Sequence, residues 1–489
     1  MKKIFLSALI VSLGLFIGRF SGFLREIIIA NNFGATENSD FIVLLLTTPD
    51  FLVNLLMGGA MSMALVPEFK KLNEEDSQLL YKQVTSVMFL FGLTVCLLSY
   101  PLRSDLISFL ALGMNEIFIE TNQDYFFFSL IALPFSLATG ASLAYLNSKE
   151  RFTITSLSTL IVNLTIIVFV CLTAFLDSGF ILISIGLVLA SLMRWLSQVL
   201  AIGLPPSFIK HERNLISRDL LSRYFYALAA GGVIFLLPII VRTVASIDGV
   251  GSLSLVNYTI KLVELPLIIL STVFSIIFLP KLSGIYSNGN EGKFLKLASN
   301  ILCFSLFMSI LVTTAMVLYA DTIVETIYGW GALSHHQLMN ISEYLKTYAI
   351  SLPFQCVNGI ILAVFSSRRD TKRPFIVTTL LGIVVFSFLI LVKPPIEDLL
   401  YSLITFYAST AICFLIALRS GHKIFPFYID MRILVLGISL LLMTFVILYS
   451  AKNFVITLEP IIGTFTIGVY VTSVLLVFVL MFRFVTSRS

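Results

Sequence analysis

An all-α polytopic membrane protein is predicted, with about fourteen transmembrane helices laid out as two parallel six-helix repeats plus two C-terminal helices. Composition, the length of the apolar runs and the sidedness of the basic residues each point there. Of 489 residues, 58% are hydrophobic and 12% charged, and the mean hydropathy is +1.00. Soluble proteins carry about 25% charged and about 45–50% apolar residues. Thirty-two Lys and Arg with 27 Asp and Glu cannot cover the several soluble domains that such a length would otherwise form. A soluble enzyme, a disordered chain and a disulfide scaffold are excluded.

A helix needs about 20 apolar residues to cross the hydrocarbon core. The first predicted span, 4–30, follows Lys2-Lys3, and no small-residue cleavage site ends it, so it is expected to be retained. The second, 39–66, carries Pro49 and ends before Lys70-Lys71; the third, 84–102, lies between Lys82 and Arg103. The fourth, 122–146, ends before Lys149 and Arg151, and the fifth and sixth, 153–175 and 179–204, close on Pro205-Pro206. After a basic stretch at 207–223 come the seventh, 224–246, and the eighth, 253–279. The ninth, 297–320, follows Lys293 and Lys296; an outer loop, 321–343, holds Trp330 and His335-His336; the tenth, 344–366, ends before Arg368-Arg369. The eleventh and twelfth, 374–393 and 398–418, lie between Arg373 and Arg419, and the last two, 433–451 and 460–482, between Arg432 and Arg483.

Fourteen spans put both termini on one side. That side then holds 23 of the 32 basic residues, from Lys2 to Arg488, while Arg103, Lys393 and Lys452 lie opposite. Basic residues favour the cytoplasmic face, so both termini are expected in the cytoplasm. The net charge of +5 is explained by this sidedness and calls for no nucleic-acid partner.

The chain repeats itself. Gly34, Asp40, Phe41 and Pro49 correspond to Gly251, Asn257, Tyr258 and Pro266, and Arg25 to Arg242, all 217 residues on. Pro67 then matches Pro280, and the extra residues surround Gly58-Gly59. Six spans return the chain to the same side, so the repeats are parallel, an arrangement typical of transporters with a site between the halves.

A charge at mid-bilayer costs roughly 2.5–3.5 kcal/mol on insertion scales. Arg19, Arg25, Arg194, Arg242 and Lys261 nonetheless fall within spans. Gly18 and Gly22 near Arg19 would permit a bend or a broken helix. Glu26 adjoins Arg25, Asp40 opens span two, and Lys261 and Glu264 share one face of span eight. Asp50 and Asn54 are one turn apart in span two and either line a cavity or cap a Pro49 kink. One reading makes these residues a cationic cavity for an anionic head group, because a guanidinium gives phosphate two parallel hydrogen bonds. The other makes them ion pairs that fix helix packing. Arg194, beside Trp195, reads as structural. The segment 207–223 reads either as an amphipathic helix on the anionic leaflet or as a linker.

No P-loop, Asp-x-Asp motif or GxSxG serine is present, so no catalysis is expected. Five cysteines form no CxxC pair and four histidines show no ligand spacing, so neither a metal nor another cofactor is expected.

The run Gly18-Arg19-Phe20-Ser21-Gly22-Phe23-Leu24-Arg25-Glu26, then Phe33-Gly34-Ala35, Ser39-Asp40-Phe41 and Leu65-Val66-Pro67, resembles the opening of the MurJ (MviN) family of lipid II flippases. Leu146-Asn147 with Arg151-Phe152, Tyr258 through Pro266, and Arg369-Asp370-Thr371-Lys372-Arg373-Pro374 are similar to three further family stretches. The resemblance covers spans one to twelve. It implies a V-shaped bundle of an N-lobe (1–222) and a C-lobe (223–420), with 421–489 forming a groove for a lipid tail. It also implies an undecaprenyl-diphosphate-linked saccharide as substrate, the bacterial inner membrane as location, and envelope-synthesis enzymes as partners. Arg19, Arg25 and Asp40 match family cavity residues, and Lys261 stands where the family usually has arginine. The chain departs from the family at Val53, at Gly58-Gly59 and at Ile260, each a site of lost charge. A flippase for lipid II is therefore the leading expectation. A flippase for an O-antigen or exopolysaccharide unit is the alternative, followed by a drug/cation antiporter of the same multidrug/oligosaccharidyl-lipid/polysaccharide exporter superfamily. A non-transporting scaffold is the remaining one.

The topology has a direct test. Alkaline phosphatase fused after residue 71, 149, 293 or 372 should be inactive, and active after residue 178, 248 or 393. Activity at 149 or 293 overturns the orientation.

Overall fold

Hydrocarbon offers no partner for a backbone amide, so a spanning segment must satisfy its own N–H and C=O groups within the helix. The computed structural model follows that rule: it describes residues 2–487 except 58–59, 204–212, 288, 369, 371 and 423–430, and contains no strand among them. The helices of the first half are α1 (Lys2–Phe33), α2 (Glu37–Met57), α3 (Ala60–Lys71), α4 (Glu74–Ser99), α5 (Arg103–Leu110), α6 (Glu116–Leu130), α7 (Leu133–Ser148), α8 (Phe152–Leu176) and α9 (Ile181–Ile202). Then follow α10 (Arg218–Ala245), α11 (Ser252–Ser287), α12 (Glu291–Leu318), α13 (Ala320–Tyr328), α14 (His335–Tyr348) and α15 (Leu352–Ser367). The chain ends with α16 (Lys372–Val392), α17 (Ile396–His422), α18 (Met431–Ile456) and α19 (Pro460–Ser487).

Each of the fourteen predicted spans coincides with a helix or a pair of helices, and eleven stretches among the described residues are long and apolar enough to cross a membrane. Three details differ from expectation. Helix α1 runs unbroken through Gly18 and Gly22. The outer segment 321–343 is largely helical: α13 and the start of α14, the latter with a Ser334/Gln337 capping box, flank a non-helical stretch at 329–334. Residues 214–217, read either as part of an amphipathic membrane helix or as linker, are non-helical; Leu215 and Ile216 pack inward beside Leu220, Tyr81 and Tyr145. Residues 218–223 of that segment open α10, while 207–212, like Gly58-Gly59, lie outside the described residues.

The repeat is visible in the caps. Asn73 and Asn290, 217 apart, cap α4 and α12 with their side chains, accepting from Asp76 N–H (2.8 Å) and Lys293 N–H (3.2 Å). The next residue in each half is an acid. Glu74 pairs with Lys149, which sits over the Tyr145 ring at 5.5 Å. Glu291 pairs with Arg368 at 3.5 Å, and Arg368 lies over the Phe294 ring at 4.9 Å. Both cations terminate a helix, α7 or α15, and both helices close with a bond five residues back, Arg151 N–H to Leu146 O and Asp370 N–H to Phe365 O, each 3.0 Å. Spans four and ten are each interrupted just before a Leu-Pro-Phe triplet, at 133–135 and 352–354. Gly34 and Gly251 both adopt the left-handed conformation, φ 63° and 85°, as turn glycines can without strain.

The chain divides into two units: residues 1–254 with 389–393, and 255–388 with 394–489. In the first unit α10 packs against α2 and α3. In that unit α8 packs between α1 and α9, and α7 contacts α3, α4 and α9. In the second unit α12 packs on α15 and α18, and α15 on α17. Tyr319 anchors α18 there by donating to Leu448 O at 2.6 Å. At one end Lys346 bridges Asp321 (3.1 Å) and Glu343 (2.8 Å). Partial burial raises the Asp321 carboxyl, but its bonds with Ser342 and Lys346 outweigh this and hold it below the usual range.

The contact of α1 with α8 depends on small residues. Gly14, Gly18 and Gly22, four apart, face Ser156, Thr159 and Asn163; a Cβ at Gly14 would come within 2.5 Å of Ser156 Oγ. Such stripes let membrane helices approach closely. Gly14→Ala should therefore lower the thermal midpoint of the purified protein, by about 1–3 kcal/mol of overpacking. Adding Ser156→Gly should recover most of that loss. An unchanged midpoint in the single variant overturns this packing.

Candidate functional site

Arg25 and Glu26 sit in the second half of α1 on its buried side, 7% and 2% exposed. Arg25 Nη2 donates to Glu26 Oε1 at 2.8 Å, and Nη1 to Asn163 Oδ1 of α8 at 3.2 Å. The Asn163 amide donates in turn to Gly18 O (2.9 Å) and Ser21 Oγ (3.1 Å). Ser21 Oγ itself donates to Gly18 O at 2.7 Å. A charge removed from water must be paired and hydrogen-bonded, and this arrangement does both. Arg19, six residues earlier, is exposed, so the two arginines of span one occupy different environments.

Asp40 has another task. Its Oδ2 accepts Gly251 N–H at 2.8 Å and its Oδ1 accepts Ser254 N–H at 2.7 Å. A carboxylate from α2 thus caps the N-terminus of α11, where free N–H groups and the helix dipole favour an anion. The turn that presents these N–H groups packs tightly: a Cβ on Gly251 would lie 2.3 Å from Ala35 O. The same edge is tied further. Gly113 N–H donates to Ser246 Oγ (3.1 Å), Thr243 Oγ1 to Leu110 O (2.8 Å), and Asn115 N–H to Glu37 Oε1 (3.3 Å).

On α11, Lys261 and Glu264 form the expected pair at 2.7 Å, with side chains 24% and 37% exposed. The preceding Ile260 is buried, so the position that departs from the family pattern packs as an ordinary apolar residue. Arg242 is buried near the end of α10. Asp50 and Asn54 lie in α2, but their side chains, like that of Val53, are outside the described residues.

Of the predicted residues, the structure joins Arg25 with Glu26 and Lys261 with Glu264, and draws Asp40 to the head of α11. Asn163 was missed. Its only signal in the sequence is an amide within the apolar run Ile161-Val162-Asn163-Leu164, which attracts less notice than a charge.

The family model described as "Lipid II flippase MurJ" matches residues 29–487. The chain is 24% identical over 387 residues to a probable lipid II flippase MurJ of Rickettsia prowazekii, covering 77% of this chain and 75% of that protein. It is 24% identical over 392 residues to the lipid II flippase MurJ of Burkholderia cenocepacia, covering 76% and 75%. Among solved structures, a lipid II flippase MurJ in an inward closed conformation superposes with a TM-score of 0.80 at 20% identity, covering 98% of this chain and 99% of that one. An inward-facing multidrug transporter of the MATE family gives a TM-score of 0.68 at 12% identity, covering 85% and 97%. These structural likenesses establish the fold, and the family model extends over nearly all of it: the chain belongs to the MurJ family of lipid II flippases.

Proposed function

We propose that the protein moves lipid II, an undecaprenyl-diphosphate-linked saccharide, from the inner to the outer leaflet by alternating access. The observation that carries the site assignment is the pairing within the membrane helices: Arg25 with Glu26 and Lys261 with Glu264, each cation beside its own carboxylate. The acids hold the cations in place while no substrate is bound. A diphosphate brings more negative charge than one carboxylate and can accept from both guanidinium arms, so it competes for the same donors. Exchange of partner makes binding reversible, as transport requires.

Rocking of the N-lobe (1–222) against the C-lobe (223–420) would carry the head group across, with the tail held on 421–489. Opening at the edge closed by Asp40 would break its two bonds to the head of α11, and reclosing would restore them. Without an ATP-binding motif, the drive is the membrane potential, an ion gradient or consumption of product outside. One charge moved through 100 mV is worth about 2.3 kcal/mol. The protein acts as a transporter and not as an enzyme, in the inner membrane, with both termini in the cytoplasm, and hands its substrate to envelope-synthesis enzymes.

Two measurements test this reading. In a bacterium whose own lipid II flippase can be switched off, the wild-type chain should restore outer-leaflet lipid II. Arg25→Ala at equal membrane abundance should restore at least roughly tenfold less, matching the loss of a charged hydrogen bond of about 1.5–3 kcal/mol. Full rescue by that variant defeats the site assignment. Good expression of the wild type without rescue would point to another undecaprenyl-linked oligosaccharide, with Val53 and Ile260 as the marks of the change. Separately, Asp40→Ala should raise labelling of a Ser254→Cys thiol by a membrane-impermeant maleimide several-fold, since Ser254 is fully buried in the closed form. Equal labelling with and without Asp40 removes the closing role.

A further inference from the structure

Arg19 stands near the middle of α1, about 25 Å from its start and about 21 Å from its end at 1.5 Å per residue. It is exposed, and among the described residues it has no carboxylate or other hydrogen-bonding partner. With a hydrocarbon core about 30 Å thick, both interfaces lie about 15 Å away, beyond the reach of its side chain. An unpaired guanidinium at that depth faces a water-filled cavity. The exposed face of α1 that carries Arg19 therefore borders water and not acyl chains.

Two aromatic rings flank it. Phe16 and Phe20, on the preceding turn and at the next residue, are 37% and 40% exposed. Their rings are nearly parallel, 13° between planes, with centroids 6.1 Å apart. Phe16 and Arg19 are neighbours on the helix surface, as residues at i and i+3 are. Phe23, further along α1, is 8% exposed, so packing takes that ring and leaves the other two outside. An apolar ring against water is unfavourable until a ligand covers it. A lipid tail is the poorer cover, since it has hydrocarbon to go to and no use for a guanidinium. A sugar ring fits better: the C–H groups of one pyranose face meet the negative face of an aromatic ring, while the hydroxyls at its rim stay in water.

We propose, on the transport reading above, that Phe16 and Phe20 form a saccharide subsite, stacking on a sugar ring of the head group while Arg19 holds the neighbouring phosphate. The order of groups in the substrate agrees. In a diphosphate-linked saccharide the first sugar is bonded directly to phosphate, and here a guanidinium and two open rings lie within one turn of helix. The division of labour follows from the chemistry. A guanidinium answers charge, so Arg19 supplies affinity for the diphosphate. An aromatic ring answers the shape of an apolar face, so the two phenylalanines tell a saccharide-bearing lipid from a bare one.

The test measures binding to the purified full-length protein in nanodiscs with two probes. One is lipid II; the other is undecaprenyl diphosphate, which keeps the tail and both phosphates but has no sugar. The wild type should bind lipid II several-fold more tightly. Phe16→Leu with Phe20→Leu keeps the surface apolar and should cut lipid II affinity several-fold, leaving undecaprenyl diphosphate affinity unchanged. Phe20→Tyr alone should keep the preference, and Arg19→Gln should weaken both probes alike. Unchanged lipid II affinity in the double leucine variant, or an equal loss for both probes, overturns the subsite. Equal affinity of the wild type for the two probes overturns it as well and leaves the transport reading standing, whereas binding of neither probe overturns both. Should the double variant fail to fold, Phe20→Trp supplies a fluorescent ring whose emission should shift on adding lipid II and not on adding undecaprenyl diphosphate. The same shift with both probes refutes a sugar contact.

Discussion

A polar group inside hydrocarbon must find its partner within the protein, and that constraint organises this molecule. It makes every span a helix, and it also decides where side chains with charge can stand. Arg25 is tolerated because Glu26 and Asn163 take its donors. Asp40 is tolerated because two backbone N–H groups at the start of α11 take its oxygens. The close approach of α1 to α8 follows from the same need, since Asn163 reaches Gly18 O and Ser21 only where glycines let the backbones come near. The polar contacts and the small-residue stripe are therefore one device.

Repetition gives a second source of order. The Asn-acid caps of α4 and α12, with their cation and aromatic partners, place one latch in each unit. Each latch lies within one unit: the first ties the start of α4 to the end of α7, the second the start of α12 to the end of α15. Each latch stiffens the unit that contains it. Evidence for duplication in the sequence came from Gly, Pro and Arg positions. The caps carry it more directly, because they preserve an interaction as well as a spacing.

The all-helical class and the order of the spans were legible in the sequence because hydropathy reports the bilayer itself. The pairs Arg25–Glu26 and Lys261–Glu264 were legible because they are local, one and three residues apart. Asp40 was singled out, but its role was not legible: its partners are backbone N–H groups more than 200 residues away, and backbone donors leave no mark in a sequence. Asn163 was hidden by the attention that charge draws from neutral amides. The segment 207–223 has the composition of a surface helix, yet Leu215 and Ile216 had a better option in the aromatic cluster around Tyr81 and Tyr145. Composition alone does not choose between a lipid surface and a protein one.

The Arg25–Asn163 bond spans 138 residues of chain, and that separation has a price in time. At about 5–20 residues per second, α8 emerges from the ribosome roughly 7–30 s after α1. For that interval the guanidinium has no Asn163 to meet. Glu26, the very next residue, is there from the start, so the first helix can enter the bilayer as a nearly neutral pair and wait. Biogenesis thus gives the adjacent acid a purpose that a finished structure, taken alone, would assign only to folding or transport.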